Sequence, residues 1–257
     1  MAKKSKGKRQ PIGLVRWIII IICAMVFCGS AAHLLLYATD KMAAEKDFKE
    51  LRESVRDLST VYAQNSDLVG WINVPGTKID YPVMQTKDDP EFYLHRDFKK
   101  ESSASGTPFL DAGSTVLPRS EDEEVTWNWL IYGHHMKFGT MFHDLMEFED
   151  KKFWEGHKTF TFAVYDPATG KTDNGEYEVF AVSRSKIRAE DSDAFKYYQY
   201  AGLTSEEKFN EYVAGVEAES SYDTGITPEF GDQLVTLSTC AYHTKEGRFY
   251  VVGRRIQ

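Results

Sequence analysis

Cys240 stands at the end of the apolar run Leu234-Val235-Thr236-Leu237-Ser238-Thr239-Cys240, and Arg248 opens the next apolar run, Phe249-Tyr250-Val251-Val252. A polar stretch, Ala241 to Gly247, separates them. If the two runs are strands that pair as an antiparallel hairpin, the last residue of one neighbours the first of the other, and Cys240 and Arg248 share one rim of a sheet. A guanidinium beside a thiol favours the thiolate, and it donates hydrogen bonds to the oxyanion formed when that thiolate attacks a carbonyl. Arg suits this better than Lys, because its planar fork holds several donors in fixed directions. The bland alternatives are a buried inert cysteine and an arginine that solvates a strand end.

A cysteine nucleophile also needs a group that delivers and accepts a proton, most often histidine. Of seven histidines, His33 lies in a long apolar segment. His134 follows Trp129-Leu130-Ile131-Tyr132-Gly133, an apolar strand that stops at glycine, so it sits where catalytic side chains project from a rigid sheet. Its neighbour His135 is an equal rival on residue chemistry. His243 is close to Cys240 in sequence but occupies a loop, and His95, His143 and His157 read as surface or packing residues. With no further cysteine nearby and no histidine pair at ligand spacing with a third ligand, a zinc site is not expected, and no metal or organic cofactor is implied.

The compartment sharpens the meaning of the thiol. From Trp17 to Tyr37 the chain has 21 residues whose strongly polar members are Ser30 and His33. As a helix this reaches ~31 Å, the thickness of a bilayer's hydrocarbon core. Six basic residues and no acid occupy positions 1–37, and mixed charges follow from Asp40 to Asp47. The positive-inside rule therefore places the N-terminus in the cytoplasm and the rest outside. A cleaved signal peptide is the competing reading, supported by the small residues Gly29, Ser30, Ala31 and Ala32. Against it, the apolar run resumes at Leu34-Leu35-Leu36-Tyr37 beyond any such cleavage point. Cys23 and Cys28 fall within the span, so Cys240 is the single external thiol and has no intramolecular disulfide partner. The remaining 25 basic residues face 39 acids, about −14 for residues 38–257. Such a balance argues against nucleic-acid binding, which depends on cationic contacts to phosphate.

The elements that must position these residues follow from periodicity. Phe48, Leu51, Val55, Leu58 and Tyr62 recur at helical spacing and predict a helix over 40–66. Short strands are expected at 68–74, 79–84, 107–110, 127–132, 159–165, 177–184, 233–239 and 249–256, a series that suits a sandwich or closed barrel. Helical insertions are expected at 138–153 and 192–219. The expected organisation is a basic cytoplasmic tail at 1–16, a transmembrane anchor at 17–37, a stalk helix at 38–66 and one catalytic domain at 67–257.

Three ordered motifs carry a family resemblance. Thr236-Leu237-Ser238-Thr239-Cys240 with Gly247-Arg248-Phe249-Tyr250-Val251-Val252 resembles the T-L-[ST]-T-C and Arg signature of sortases, and Ile131-Tyr132-Gly133-His134 resembles their Y-G-H motif. Trp71-Ile72 and Ile79-Asp80-Tyr81-Pro82-Val83 resemble early strands of that fold. The chain is most similar to class B, because a helical segment precedes the cysteine strand and another precedes the barrel. Asp89-Pro90-Glu91-Phe92 resembles only superficially the lid motif of pilin-polymerising members. The resemblance implies an eight-stranded barrel and a cysteine transpeptidase. It implies Cys240 as nucleophile, His134 rather than His135 as acid/base, Arg248 as stabiliser and Ser238 as a substrate contact. It also implies two partners: surface proteins with an N-P-x-T-like C-terminal sorting signal, and a peptidoglycan-precursor amine. A secreted cysteine peptidase and a non-catalytic wall-binding membrane module are the competing functions.

Overall fold

The computed structural model describes residues 13–54, 57–118, 124–242 and 244–257. Most of the basic tail, together with Val55 and His243, lies outside the described residues. The chain divides at Ala43/Ala44 into an N-terminal apolar helical unit and a body. In the first unit, the early part of α1 (Leu14–Ser54) holds a segment, Arg16–Leu36, long and apolar enough to cross a membrane. Its large side chains are exposed, Phe27 to 75% and Leu34 to 65%.

In the body, the last turns of α1 bury Phe48 and Leu51, with the Phe48 ring edge-on to Tyr81 at 5.1 Å. The expected single helix over 40–66 is two. A second helix, α2 (Leu58–Gln64), starts afresh at Asp57, whose extended backbone and carboxylate accepting from the Ser59 amide form an N-cap. Leu58 and Val61 then face the barrel.

Eight strands close into a barrel in the order β1-β2-β3-β4-β7-β8-β6-β5. They are β1 (Leu68–Asn73), β2 (Asp80–Met84), β3 (Phe109–Leu110), β4 (Asn128–Tyr132), β5 (Thr159–Asp166), β6 (Lys171–Lys186), β7 (Leu234–Cys240) and β8 (Gly247–Arg255). Every expected strand is present, although β6 is twice as long as its apolar stretch suggested. Its first residues pair with β5 and its later ones with β8, so polar Lys171 to Glu176 are held in strand by hydrogen bonds the sequence pattern does not reveal. Two pairings are parallel, β2 with β3 and β4 with β7, which makes β4 and β7 neighbours although about a hundred residues separate them.

The insertions are shorter in helix than expected. Residues 138–153 contain a 3-10 turn at Phe142–Glu149, and α3 (Lys151–Gly156) follows it. Within 192–219 only α4 (Glu206–Glu219) is α-helical, begun by a Ser205 N-cap, while Tyr197–Gln199 forms one 3-10 turn. The apolar residues ahead of Ser205 cover the barrel without α-helical backbone. Phe209, Tyr212, Val213 and Val216 of α4 join Leu130, Phe180, Leu234, Tyr250 and Val252 in one buried cluster. At ~1.5–3 kcal/mol per buried large apolar side chain, this face holds a 14-residue helix that would be marginal alone.

This covering explains why β7 is buried on both faces up to Cys240. Alternation turns Leu234, Thr236, Ser238 and Cys240 toward the insertion and Val235, Leu237 and Thr239 the other way. The side facing the insertion carries polar groups that find partners there: Thr236 Oγ1 pairs with Tyr212 and donates to Asn128 Oδ1 at 2.8 Å, and the Ser238 and Tyr197 hydroxyls lie 2.7 Å apart.

Candidate active site

Where the insertion stops covering β7, a cavity of about 310 Å³ opens. Cys240, Arg248, His134 and Ser238 all line it. Cys240 and Arg248 are direct partners in the antiparallel β7–β8 pair, the juxtaposition their strand-end positions predict. Arg248 Nη1 donates to the carbonyl of Gly247 at 3.1 Å, which leaves further guanidinium donors for the cavity.

His134 reaches the same cavity from β4. The parallel pair runs in register from Asn128↔Leu234 to Tyr132↔Ser238, so the end of β4 arrives beside the end of β7. Gly133 then continues the contact, its amide donating to the Ser238 carbonyl at 3.0 Å, while the Thr239 hydroxyl donates to the Gly133 carbonyl at 2.7 Å. The following loop folds back on itself: Phe142 N donates to the His134 carbonyl at 2.9 Å, and His135 bridges Met141. A Cβ on Gly133 would stand 2.5 Å from Cγ of the fully buried Phe142 ring, so glycine is required there for space.

The imidazole of His134 is oriented by a main-chain acceptor. Its Nε2 donates to the Leu94 carbonyl at 2.7 Å, so the neutral ring carries its proton on Nε2 and leaves Nδ1 as the basic nitrogen. Burial pushes its pKa below the ordinary histidine value, the Leu94 bond opposes that, and His95, stacked at 6.0 Å, adds to the lowering. His134 is therefore biased toward the neutral form, able to accept a proton at neutral pH.

His135 does not line this cavity. Its Nδ1 donates to the Cys240 carbonyl at 2.9 Å, and its ring packs against His143 at 4.8 Å and Tyr242 at 5.2 Å. His157 is held by Phe153, ring on ring at 4.0 Å. His95 is more than a surface residue, since it stacks on His134. Ser238 lines the cavity but is fully buried with its hydroxyl engaged by Tyr197, which narrows what it can offer a substrate.

Other walls were not singled out as site residues in the sequence, although Pro90 and Glu91 fall in the Asp89-Pro90-Glu91-Phe92 segment noted there. Pro90, Glu91, Leu94, Phe109 and Asp111 come from the segment between β2 and β4, while Tyr197 and Tyr198 come from the insertion. Tyr132 donates to Asp111 Oδ2 at 3.0 Å, and burial together with that carboxylate pushes the Tyr132 phenol far above its usual range. The Leu94 carbonyl could not have been found from residue types, because any residue supplies one.

A thiol, an imidazole with a free basic nitrogen and a guanidinium on one cavity wall are the parts of a covalent acyl transfer. The family described as the Sortase domain matches residues 72–256. The chain belongs to the sortase family. It is 34% identical over 209 residues to sortase B of Listeria monocytogenes, covering 80% of this chain and 76% of that protein. To sortase B of Staphylococcus aureus it is 28% identical over 221 residues, covering 84% and 80%. Among solved structures, Listeria sortase B superposes with a TM-score of 0.60 at 34% identity, covering 78% of this chain and 99% of the other. A cysteine-to-serine mutant of Clostridium perfringens sortase B superposes with a TM-score of 0.65 at 29% identity, covering 86% and 97%. This sortase is thus a cysteine transpeptidase built on the eight-stranded barrel, similar to class B.

Proposed function

We propose that this sortase cleaves a C-terminal sorting signal after threonine and joins the released protein to an amine of a peptidoglycan precursor. The observation that carries the reading is the convergence of Cys240, Arg248 and His134, from three strand ends, on one cavity. Cys240 passes its thiol proton to Nδ1 of the neutral His134, its sulfur attacks the threonine carbonyl carbon, and a tetrahedral oxyanion forms, stabilised by Arg248. Collapse breaks the C–N bond, and the leaving amine takes its proton from the imidazolium of His134, leaving a thioester on Cys240. The acceptor amine then attacks the thioester, gives its proton to His134 and displaces the Cys240 thiolate as the new amide forms. Signals of the N-P-x-T type are the substrate class implied by the likeness to sortase B, and a sortase B–substrate complex of Staphylococcus aureus shares the fold. The apolar segment of α1 anchors the enzyme with its basic N-terminus in the cytoplasm and the barrel, residues 67–257, outside.

The test uses the full chain in detergent with a quenched N-P-x-T peptide, with and without a soluble oligoglycine acceptor. Cleavage after threonine, a thioester on Cys240 and a ligated product are expected. Undiminished turnover by Cys240→Ala refutes the mechanism. Hydrolysis that never yields ligated product supports the peptidase reading instead.

A further inference from the structure

The β4–β7 pair must hold the proposed nucleophile and its acid/base partner at a fixed spacing, yet both residues lie where the regular ladder has ended. Backbone pairing stops at Tyr132↔Ser238, and the last backbone bond across the gap is Gly133 N to Ser238 O. Beyond that point His134 turns into the cavity, and side chains continue the connection. Thr239 Oγ1 donates to the Gly133 carbonyl at 2.7 Å, His135 Nδ1 donates to the Cys240 carbonyl at 2.9 Å, and Tyr242 OH donates back to the His135 carbonyl at 3.2 Å. The last two bonds run in opposite directions between the same two segments and bracket both Cys240 and His135. The His135 ring lies between His143 and Tyr242, which limits its rotation.

We propose that His135 is a positioning residue for the transpeptidation: its Nδ1–H substitutes for the missing strand amide, holds the Cys240 carbonyl, and so fixes the spacing between the Cys240 thiol and the His134 imidazole. This rests on the assignment of Cys240 and His134 as the reacting pair. His135 itself is no acid or base in the reaction, because it lies outside the cavity and its Nδ1 is committed to the main chain. The latch needs a proton on Nδ1, which both the neutral tautomer that the carbonyl acceptor requires and the cation possess. A displacement on the order of 1 Å between reacting groups is enough to cost ~100-fold in rate, so a latch on the carbonyl of Cys240 itself, carried by the residue next to His134, is well placed to matter.

Two substitutions separate the donor from the ring. His135→Phe keeps an aromatic ring against His143 and Tyr242 but has no donor, and His135→Asn keeps a donor near the position of Nδ1 but has no ring. With the full chain in detergent, an N-P-x-T peptide and oligoglycine, His135→Phe should lower kcat by ~10- to 100-fold. KM and the shape of the pH profile should be unchanged, and His135→Asn should restore most of the loss. Tyr242→Phe, on a side chain 67% exposed and so harmless to folding, removes the return bond and should lower kcat in the same sense. An active His135→Phe with an impaired His135→Asn overturns the proposal, as do equal losses in both or wild-type kcat in Tyr242→Phe. A shifted pH profile would make His135 a proton-transfer group and also overturn it. If Cys240→Ala retains cleavage, the active-site assignment itself fails; if Cys240→Ala is inactive while His135→Phe behaves as wild type, only the latch fails.

Discussion

Gly133→Ala adds one methyl group at the point where the fold and the site meet. That carbon would lie 2.5 Å from Phe142 Cγ and 2.7 Å from both Cδ atoms. Carbon–carbon contact is optimal near ~3.5–4.0 Å, so the ring or the backbone must give by about 1 Å. Phe142 has no room to retreat, because it is fully buried and its amide is bound to the His134 carbonyl. Overpacking of this kind costs ~1–3 kcal/mol. At ~2–4 °C per kcal/mol for a domain of this size, Tm should fall by about 2–12 °C. The strain passes to His134 through that same Phe142 bond and to Ser238 through the Gly133 amide, so turnover should fall by more than the folded fraction does. The assay is a double-mutant cycle in urea, with kcat measured alongside. Phe142→Ala alone should cost ~3–5 kcal/mol, and Gly133→Ala added to it should cost almost nothing further, because the clashing ring is gone. A Gly133→Ala penalty equal in both backgrounds, or an unchanged Tm and turnover in the single variant, refutes the steric argument.

Arg248→Ala should lower turnover by ~100-fold or more, with Arg248→Lys recovering only part of it, because a point charge does not reproduce the fork of donors; a loss confined to KM would recast Arg248 as a substrate-positioning residue. His134 and His135 both have pKa values lowered in the folded chain, chiefly by burial, so the unfolded chain binds more protons as pH falls through ~6.5. Their stabilising contribution is full above that value and is lost as pH falls toward the folded pKa. Tm should accordingly drop between about pH 7.5 and 5.5, and His134→Gln should flatten the slope; identical slopes would contradict this. Tyr197→Phe leaves the buried Ser238 hydroxyl without its partner and should cost ~1–3 kcal/mol, with Tyr197→Phe/Ser238→Ala recovering part of the loss. If Ser238→Ala instead raises KM for the peptide without loss of stability, the hydroxyl serves the substrate rather than the fold.

The strands were legible because their residues are β-branched or aromatic and bounded by turn formers, and β7 and β8 announced their pairing by length and order. Helical extent was less legible. Phe195, Tyr198 and Leu203 mimic a helical face, but Ser205 caps α4 after them, and their burial comes from the barrel they cover rather than from helical backbone. Polar Lys171 to Glu176 look like loop in isolation and become strand because β5 supplies partners.

At the site, local chemistry marked Cys240 and Arg248, since strand ends eight residues apart meet in a hairpin and a lone thiol outside the apolar segment needs a reason. Residue types alone left His134 and His135 equal, and the sortase-like motif favoured the first. The structure separates them by geometry: one ring enters the cavity bound to the Leu94 carbonyl, and the other turns to the Cys240 carbonyl. Adjacent residues at a strand end point to opposite sides, and which side holds the cavity depends on β4 pairing with a strand about a hundred residues away. That contact is long-range, and so are the walls from Leu94, Asp111 and Tyr197. Composition and strand order in the sequence determined the long apolar segment, the strand set and the thiol–guanidinium pair. The parallel β4–β7 contact, which no local pattern encodes, decided where the histidines point and what encloses them.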